Sequence, residues 1–597
     1  MIQGEQRQVR SQKAASFEDH FQPGRAAEGQ AAAEMGPRDY LFDGWGLQSG
    51  GLPLSPVDHV ERWARYHPDR TALVGVERSF TYGELHNEVE TLARWMVKEK
   101  GLRRHDRVAI LSLNHEFFFQ LAFACFRCGV VLAPLNFRLA PRELQQLLEL
   151  STPRLLFVDD SMEGKLEELA LGSGERAGVD GSERLGHVET IAFSKNRPWK
   201  KATPQESRAD VRGGPKPVDD GGLHTEMETG LRGTGFEETA LMLFTSGTTG
   251  LPKGAMLPAR QLYFNAVNTQ LAFDLRRDDS TVLYTPLFHT GAINVLAMPL
   301  FQQGGRVVIH RGFDPVALVK SLQEEGITTL FGVPTTFAAM AATPGFFEAA
   351  KRWVRLCLCG GAPLPLSLIH EFQDHGVPLT QGFGMTEVGP NCFYLPPDKV
   401  VEKAGSVGLP IHGCHARVQV EGREAQPGEV GELQLAGPHV CKGYFRNRHA
   451  TEKSLVNGWF RTGDLMKRDD DGFFYVAGRG KDMFISGGEN VYPAEVEVAL
   501  SCHSRVSECA VVPSPHPKWG EVGCAFVVAT EVGGERRPPS PDELKAFLKE
   551  RLAGYKVPKE FRFLEALPRN ESGKVVKREL KESAGADAPM NIKRGEA

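Results

Sequence analysis

A run of small, hydroxyl-bearing residues near the middle of the chain has the composition of a phosphate-binding loop. Residues 243–257 read LFTSGTTGLPKGAML, in which Ser, Thr and Gly follow an apolar stretch and Lys253 is the single cation. Glycines allow backbone N–H groups to turn towards an anion, hydroxyls donate further hydrogen bonds, and the lysine adds a positive charge. A linker rich in Ser, Thr and Gly would have a similar composition, so this stretch alone leaves both interpretations open.

The residue after the lysine excludes the commonest phosphate-binding design. A P-loop has the pattern G-x-x-x-x-G-K-[ST], in which a magnesium-binding hydroxyl follows the lysine at once. Here Gly254 follows Lys253, and the dinucleotide fingerprint G-x-G-x-x-G is absent from this turn. A P-loop kinase or NTPase is therefore excluded, and the loop belongs to another phosphate-handling design or to none.

Further motifs resolve that choice, because together they resemble the adenylate-forming superfamily of acyl-CoA synthetases, adenylation domains and luciferases. The resemblance spans about residues 41–580, with the motifs in the order and spacing of that family. Besides residues 243–257, they are PLFHTG (286–291), GGAPL (360–364), QGFGMTE (381–387), GWFRTGDL (458–465), GRGKDMFISGGENVYPAEVE (478–497) and NESGKVVKREL (570–580).

The resemblance implies an ATP-dependent acid–thiol ligase that uses Mg²⁺ and coenzyme A. A carboxylate attacks the α-phosphorus of ATP and releases pyrophosphate, and a thiol then attacks the acyl carbon and releases AMP. The first step replaces an oxide leaving group with AMP, and its phosphorus centre gathers negative charge that fixed donors and cations must stabilise.

The resemblance also implies roles for individual residues in adenylation. The loop residues would hold the β- and γ-phosphates, Thr386 would donate to the α-phosphate, and Glu387 would bind magnesium. Asp464 and Arg479 would contact the ribose. The loop residues are Thr245, Ser246, Gly247, Thr248, Thr249, Gly250 and Lys253; those around the adenine are Gly361, Ala362, Pro363, Gly382, Phe383, Gly384 and Met385, with Phe383 standing where many relatives have tyrosine.

Residues of the last quarter of the chain would act in both half-reactions. Lys574 would reach the carboxylate and the α-phosphate during adenylation, and Lys481 occupies the hinge position about which a smaller domain swings. Ser486, Gly487, Gly488 and Glu489 would then line the pantetheine tunnel. Taken singly, Glu387, Asp464 and Lys574 would be ordinary surface residues; it is their placement inside matched motifs that supports the roles.

The acid substrate is the least determined part of the hypothesis. His289 would lie at the mouth of the acyl pocket, although a helix-capping or core histidine is equally compatible with its position. Gly382 and Gly384 would keep that pocket open. We favour a medium- or long-chain fatty acid, then an aryl acid. The alternatives are an acyl- or aryl-AMP ligase that loads a separate carrier protein, and a catalytically silent ATP-binding homologue, against which the set Thr386, Glu387, Asp464 and Lys574 argues.

The elements that would position these residues alternate in the manner of an α/β fold with largely parallel strands. TALVGV and RVAILSLN predict strands, and Thr81 and Glu84 have the spacing of a capping box before an amphipathic helix. FFFQLAFACFRCGVVLAPLN (117–136) predicts a core helix that runs into a strand, with Cys125 and Cys128 buried rather than bound to zinc.

We expect a large N-terminal multi-sheet α/β domain at 39–479 and a smaller mobile α+β domain at 480–597, preceded by a flexible leader at 1–38. Residues 162–236 predict a polar insertion, in which KNRPWKK (195–201) is a solvated loop rather than a nucleic-acid contact.

The composition sets limits on partners and location. The 597 residues carry a formal net charge of -5, which gives no general attraction to nucleic acid or to an anionic membrane. The N-terminus lacks the apolar core of a signal peptide, and scattered cysteines suggest no disulfide framework. We therefore expect a cytoplasmic enzyme whose partners are a small carboxylic acid and coenzyme A, with a homodimer left open.

Overall fold

The computed structural model describes residues 55–173, 184–185, 188–193, 197–200, 231, 233–246, 252–479, 482–486, 489–532, 535–570 and 574–584. The predicted leader (1–38) lies outside these residues, as do Gly247–Gly250 of the phosphate loop and Lys481, Gly487 and Gly488.

Helices alternate with strands along most of the described chain. The α-helices are Val57–Tyr66, Tyr82–Lys98, Phe117–Cys128, Pro141–Ser151, Glu163–Ser173, Ala259–Phe273, Thr290–Ala292, Met298–Gln303, Pro315–Glu325, Pro334–Ala341, Phe346–Trp353, Leu366–Asp374, Arg448–Ser454, Pro493–Ser501, Pro541–Lys549 and Lys577–Ala584. A π-helical turn, Ile293–Ala297, joins two of them; the 3-10 turns are Asp160–Met162, Pro198–Lys200, Thr386–Val388 and Pro397–Lys399. No helix in the described part of the chain is both long and apolar enough to cross a membrane.

The sheet that carries the phosphate loop, here called sheet A, is parallel at its centre and ends in an antiparallel hairpin. That hairpin pairs Thr239–Ser246 with Pro252–Pro258, so Thr245 lies opposite Lys253. The order of the strands is Arg184–Leu185, Val188–Ala192, Leu155–Val158, Arg107–Leu111, Val131–Pro134, Thr239–Ser246 and Pro252–Pro258.

A longer sheet, here called sheet B, changes from parallel to antiparallel where Leu379–Met385 pairs with Gly389–Tyr394. The alternation of helices and strands in the sequence predicts largely parallel strands, and the antiparallel part was not predicted. The order is Arg423–Glu424, His415–Val420, Gly431–Ala436, Trp459–Arg468, Phe474–Arg479, Ser406–Pro410, Gly389–Tyr394, Leu379–Met385, Leu356–Cys359, Thr329–Gly332, Ser280–Leu283, Arg306–Ile309, Thr71–Val74 and Ser79–Thr81, with Leu455–Val456 beside Trp459–Arg468.

The C-terminal part forms a separate sheet, here called sheet C, with helices packed on it. The strands run Glu489–Val491, Phe484–Ser486, Gly520–Ala529 and Val506–His516, with Glu560–Leu564 beside Gly520–Ala529; a short ribbon pairs Glu531–Val532 with Glu535–Arg536. The predicted α/β fold with a large multi-sheet part and a smaller C-terminal part is confirmed. The domain boundary at residues 479–480 remains a prediction.

Local signals in the sequence give the N-terminal elements correctly. The Thr81 hydroxyl accepts from the Glu84 backbone N–H, and the Glu84 carboxylate accepts from the Thr81 backbone N–H, which completes the predicted capping box. Helix Phe117–Cys128 ends at Gly129 and leads into strand Val131–Pro134, and Cys125 and Cys128 are both buried, as expected.

The stretch KNRPWKK differs from its prediction. Trp199 is 1% exposed and stacks on Phe117 with ring centroids 5.2 Å apart. The ring centroid of Trp95 lies 5.7 Å from that of Trp199. The indole therefore anchors this stretch in the core of sheet A, so the interpretation as a solvated loop is wrong. Strand Val188–Ala192 likewise pairs with Leu155–Val158, so part of residues 162–236 belongs to the sheet.

Candidate active site

The centre of the candidate site is a buried carboxylate where sheets A and B meet. Glu387 is 5% exposed and lies in the 3-10 turn Thr386–Val388, directly after strand Leu379–Met385. The Thr245 hydroxyl donates to Glu387 Oε1 over 3.2 Å, and the Tyr444 hydroxyl donates to the same oxygen over 3.0 Å. One oxygen of this carboxylate is thus fixed by Thr245 and Tyr444, which are separated from Glu387 by 142 and 57 positions in the sequence.

Tyr444 is the member of this group that sequence reasoning missed. The segment 442–445 runs along strand Pro252–Pro258, where the Phe445 N–H donates to the Gly254 carbonyl and the Met256 N–H donates to the Gly443 carbonyl. This pairing places the Tyr444 ring 5.0 Å from Lys253 Nζ, a cation–π contact. Burial, then the Glu387 carboxylate, raises the pKa of Tyr444, so its hydroxyl stays protonated and donates.

The geometry of Glu387 suits a hard divalent cation. Both hydroxyl donors bind Oε1, which orients the carboxylate so that Oε2 is the oxygen able to face a ligand. Oxygen donors of this kind are what Mg²⁺ prefers, since it is bound in phosphate-handling enzymes by one or two carboxylates together with the substrate phosphates. The Glu387 carboxylate therefore fits the predicted role of a magnesium ligand, and that role remains a proposal.

The glycines before Glu387 allow two strands to pack closely. A Cβ on Gly382 would lie 2.7 Å from the Phe393 carbonyl oxygen, and one on Gly384 would lie 2.2 Å from the Pro390 carbonyl. Both clashes are with the backbone of the neighbouring antiparallel strand Gly389–Tyr394. Close strand packing therefore requires glycine at both positions, and their role in keeping the acyl pocket open stays a prediction.

The other residues predicted near the nucleotide lie in or directly after strands Leu356–Cys359 and Leu379–Met385. The Thr386 carbonyl accepts from the Gln261 side chain over 3.0 Å. Phe383 is half-buried and packs edge-on against Phe393. Gly361, Ala362 and Pro363 are exposed beyond strand Leu356–Cys359, and Met385 precedes the 3-10 turn.

The pair proposed for the ribose lies in adjacent strands. Asp464 is 5% exposed and lies directly opposite Arg479 in the antiparallel pairing of Trp459–Arg468 with Phe474–Arg479. The Asp464 backbone N–H donates to the Thr462 hydroxyl over 3.1 Å, which fixes the backbone at Asp464. The structure thus brings together two residues that the motifs place fifteen positions apart.

His289 and Lys574 are far apart in the sequence but interact electrostatically in the fold. Burial, followed by the charges of Lys574 and Arg138, lowers the pKa of His289 to about 4, so the imidazole is neutral at ordinary pH. His289 stands at the start of the short helix Thr290–Ala292 without capping it through its side chain, which removes the helix-capping interpretation. Its Nε2 is buried without a hydrogen-bond partner among the described residues.

The backbone around Lys574 is fixed although its side chain is exposed. The Lys574 backbone N–H donates to Asn570 Oδ1 over 2.9 Å, and the Asn570 N–H donates back to the Lys574 carbonyl. The charge of this C-terminal lysine reaches His289, since it contributes to the lowered pKa of the imidazole, and its role in adenylation stays a prediction.

The residues predicted to line the pantetheine tunnel are only partly described. Ser486 and Glu489 face each other at the end of the hairpin formed by Phe484–Ser486 and Glu489–Val491. Ser486 is 4% exposed and Glu489 is exposed. Ser246 and Arg479 are described only in their backbone, as members of strands Thr239–Ser246 and Phe474–Arg479.

Family models match both parts of the chain. The model of the AMP-binding enzyme matches residues 60–445, and that of the AMP-binding enzyme C-terminal domain matches residues 495–574. The chain is 38% identical to a feruloyl-CoA synthase from an Amycolatopsis species over 541 residues, which cover 90% of this chain and all of that protein. It is 35% identical to a 2-succinylbenzoate–CoA ligase from Bacillus licheniformis, over 88% of this chain and all of that one.

Solved structures of an o-succinylbenzoate CoA synthetase from Bacillus subtilis share the fold. The complex with its acyl-adenylate intermediate superposes with a TM-score of 0.73 at 31% identity, covering 92% of this chain and 99% of that chain. The complex with ATP and a magnesium ion gives a TM-score of 0.71 at 30% identity, covering 87% and 98%.

Proposed function

Because the chain belongs to the AMP-binding enzyme family and joins an acid to coenzyme A through an acyl adenylate made from ATP, we propose that its acid is an aromatic carboxylic acid. The similar proteins are named for ferulate and succinylbenzoate, both of which contain a benzene ring. The fatty acid favoured by the sequence analysis has no support from these relatives, so the aryl acid takes its place.

The observation in this chain that supports an aromatic acid is the glycine-flanked ring of Phe331. A Cβ on Gly291 would lie 3.0 Å from this ring, and a Cβ on Gly360 would lie 3.3 Å from it. Only glycine therefore fits without displacing the ring, which stands close to the segment that carries His289. An aromatic side chain at this position favours a planar ring, which can pack against it in a stacked or edge-on arrangement, over a flexible chain.

In the first step, we assign the chain's own groups to holding the acid and ATP. Lys574 holds the acid carboxylate and the α-phosphate together, so that a carboxylate oxygen attacks phosphorus and the bond to pyrophosphate breaks. The neutral His289 lies beside the acid without adding a second positive charge. Lys253 and Thr245 hold the departing phosphates, Asp464 binds the ribose, and Glu387 would hold Mg²⁺, which neutralises phosphate charge when bound.

In the second step, the thiol of coenzyme A attacks the acyl carbon and AMP leaves. We assign Ser486 and Glu489 to the path of the pantetheine arm, with Gly487 and Gly488 between them. The family's domain movement would carry Lys574 away before this step, and Lys481 would be its hinge.

Steady-state kinetics with two acids of similar size test the proposal. A hydroxycinnamic acid and a saturated fatty acid of matched carbon number are each assayed with Mg-ATP and coenzyme A, and AMP release is measured. We expect kcat/KM to be at least about tenfold higher for the aryl acid, since burying a rigid ring costs less conformational entropy than ordering a chain. A higher kcat/KM for the fatty acid would contradict the proposal.

A further inference from the structure

Directly behind Glu387 lies a second group of chemically capable side chains, here called the thiol–imidazole cluster: Cys392, Cys414 and His439. One donor atom from each residue lies within 4.8 Å of the others. Cys392 and His439 are at most 1% exposed, and Cys414 is 8% exposed. None of the roles assigned above uses these three residues.

The cluster joins three segments that are far apart in the sequence. Cys392 lies in strand Gly389–Tyr394, Cys414 immediately precedes strand His415–Val420, and His439 lies in the connection after Gly431–Ala436. Two residues beyond His439, the Cys441 N–H donates to the Glu387 carbonyl over 2.7 Å. The cluster therefore backs onto the turn that holds the proposed magnesium ligand.

The hydrogen bond of His439 Nδ1 is of the kind that metal-binding histidines make. His439 Nδ1 lies 2.5 Å from the Val388 carbonyl oxygen, which can only accept, so Nδ1 carries the proton and donates. In the neutral ring this leaves the lone pair on Nε2, and His439 is 1% exposed. Metal-binding histidines characteristically donate their other ring N–H to a backbone carbonyl in this way.

A glycine packs against the Nε2 edge of the ring. A Cβ on Gly437 would lie 2.8 Å from His439 Nε2 and 2.4 Å from the Gly413 carbonyl oxygen. Gly437 thus allows the ring and the segment that leads into Cys414 to approach each other. Cys392 Sγ lies 3.9 Å from Nδ1 of the same ring.

We propose that Cys392, Cys414 and His439 form a binding site for a soft divalent cation such as Zn²⁺. Two thiolates and one imidazole are ligands that Zn²⁺ prefers, and it accepts three protein donors with a fourth position open. Binding releases the thiol protons, and two thiolates with a neutral imidazole and a dication have no net charge, which suits a buried centre. The bound cation links the three segments and stabilises the turn Thr386–Val388.

The alternative is that the cysteines only fill space, as free buried cysteines commonly do. Cys357 and Cys359 are equally buried in strand Leu356–Cys359 and provide that comparison. Cys125 and Cys128 form a second buried pair, on helix Phe117–Cys128, which must be separated from the cluster experimentally.

Titration of the full-length protein with Co²⁺ tests the site, because thiolate ligands give cobalt a charge-transfer absorption band. We expect one equivalent of Co²⁺ to produce the band and Zn²⁺ to displace it. Cys414→Ala and His439→Gln should each weaken binding by at least about tenfold, whereas Cys357→Ala and Cys128→Ala should bind as the wild type does. Absence of the band in the wild type, an equal loss in Cys357→Ala, or a loss in Cys128→Ala alone would each overturn the proposal.

A second measurement needs no variant and so does not depend on variant folding. The wild-type protein is heated with an alkylating reagent in the presence or absence of Zn²⁺, and the modified cysteines are identified by mass spectrometry. Zn²⁺ should protect Cys392 and Cys414 more strongly than Cys357. Equal protection of all three would contradict a site at the cluster.

Discussion

Glu387 and Lys574, the two charged side chains assigned to adenylation, lie in opposite environments. Glu387 is 5% exposed, and hydroxyls from two distant segments hold one of its oxygens. Lys574 is exposed, and hydrogen bonds with Asn570 hold its backbone. The first group is pre-positioned by the fold, whereas the second is a long side chain that the C-terminal part brings to His289. A buried, fixed anion can orient a cation throughout the cycle, but an exposed lysine can serve one step and then withdraw.

The largest expected effect concerns the exposed member of this comparison. Lys574→Ala should lower acyl-adenylate formation by about 10²–10³-fold, as for removal of one charge-stabilising donor. Thioester formation from supplied acyl adenylate should be unchanged, since the lysine has no part in that step. Rapid-quench assays of each half-reaction check this, with Lys545→Ala as the control. Equal loss of both half-reactions would contradict the assigned role.

The next effect concerns the glycines that pack strand Leu379–Met385 against its neighbour. Gly384→Ala should destabilise the protein by about 2–3 kcal/mol, because the new Cβ would meet the Pro390 backbone, which cannot move like a flexible side chain. Gly312→Ala is the control, since a Cβ there meets nothing within 4 Å. Thermal unfolding measures the difference. A stable Gly384→Ala protein with weakened acid binding would contradict the packing requirement and favour the pocket role.

A smaller effect should follow from loosening the buried carboxylate. Tyr444→Phe removes one of the two hydroxyls on Glu387 Oε1 and should reduce adenylation about tenfold at limiting Mg²⁺, with recovery at high Mg²⁺. Tyr475→Phe, which loses a hydroxyl bond to Asp469 instead, is the matched control. Adenylation rates are measured across a magnesium titration. A loss that no magnesium concentration restores would show that Tyr444 does not act through the cation.

The smallest effect is the dependence of stability on pH. Burial, then neighbouring positive charge, lowers the pKa of His289 to about 4 and that of His59 to about 3. Unfolded histidine titrates near about 6.5, so below that pH the unfolded chain takes up protons that the folded chain does not. Stability is therefore full above about pH 6.5 and should fall on acidification by at most about 1.4 kcal/mol per pH unit for each histidine.

Denaturant unfolding near neutral pH and about one unit below the histidine pKa checks this. His59→Gln should reduce the slope, because glutamine does not titrate. If the unfolding free energy of that variant depends on pH as strongly as that of the wild type, His59 does not contribute to the pH dependence.

The sequence predicts those features that depend on neighbouring residues or on whole motifs. The capping box at Thr81 and the core helix Phe117–Cys128 follow from local spacing, and the motifs bring Thr245 close to Glu387. Tyr444 could not be predicted, because its contact depends on the pairing of residues 442–445 with strand Pro252–Pro258. The same holds for Trp199, Gly384 and the thiol–imidazole cluster, each defined by segments that meet only after folding.

Product analysis by mass spectrometry tests the central claim most directly. The purified protein is incubated with Mg-ATP and an equimolar mixture of aryl and fatty acids, with and without coenzyme A. The account predicts aryl-CoA and AMP when coenzyme A is present, and aryl adenylate when it is absent. Fatty acyl-CoA as the main product, an adenylate that persists despite coenzyme A, or no AMP from any acid would contradict it.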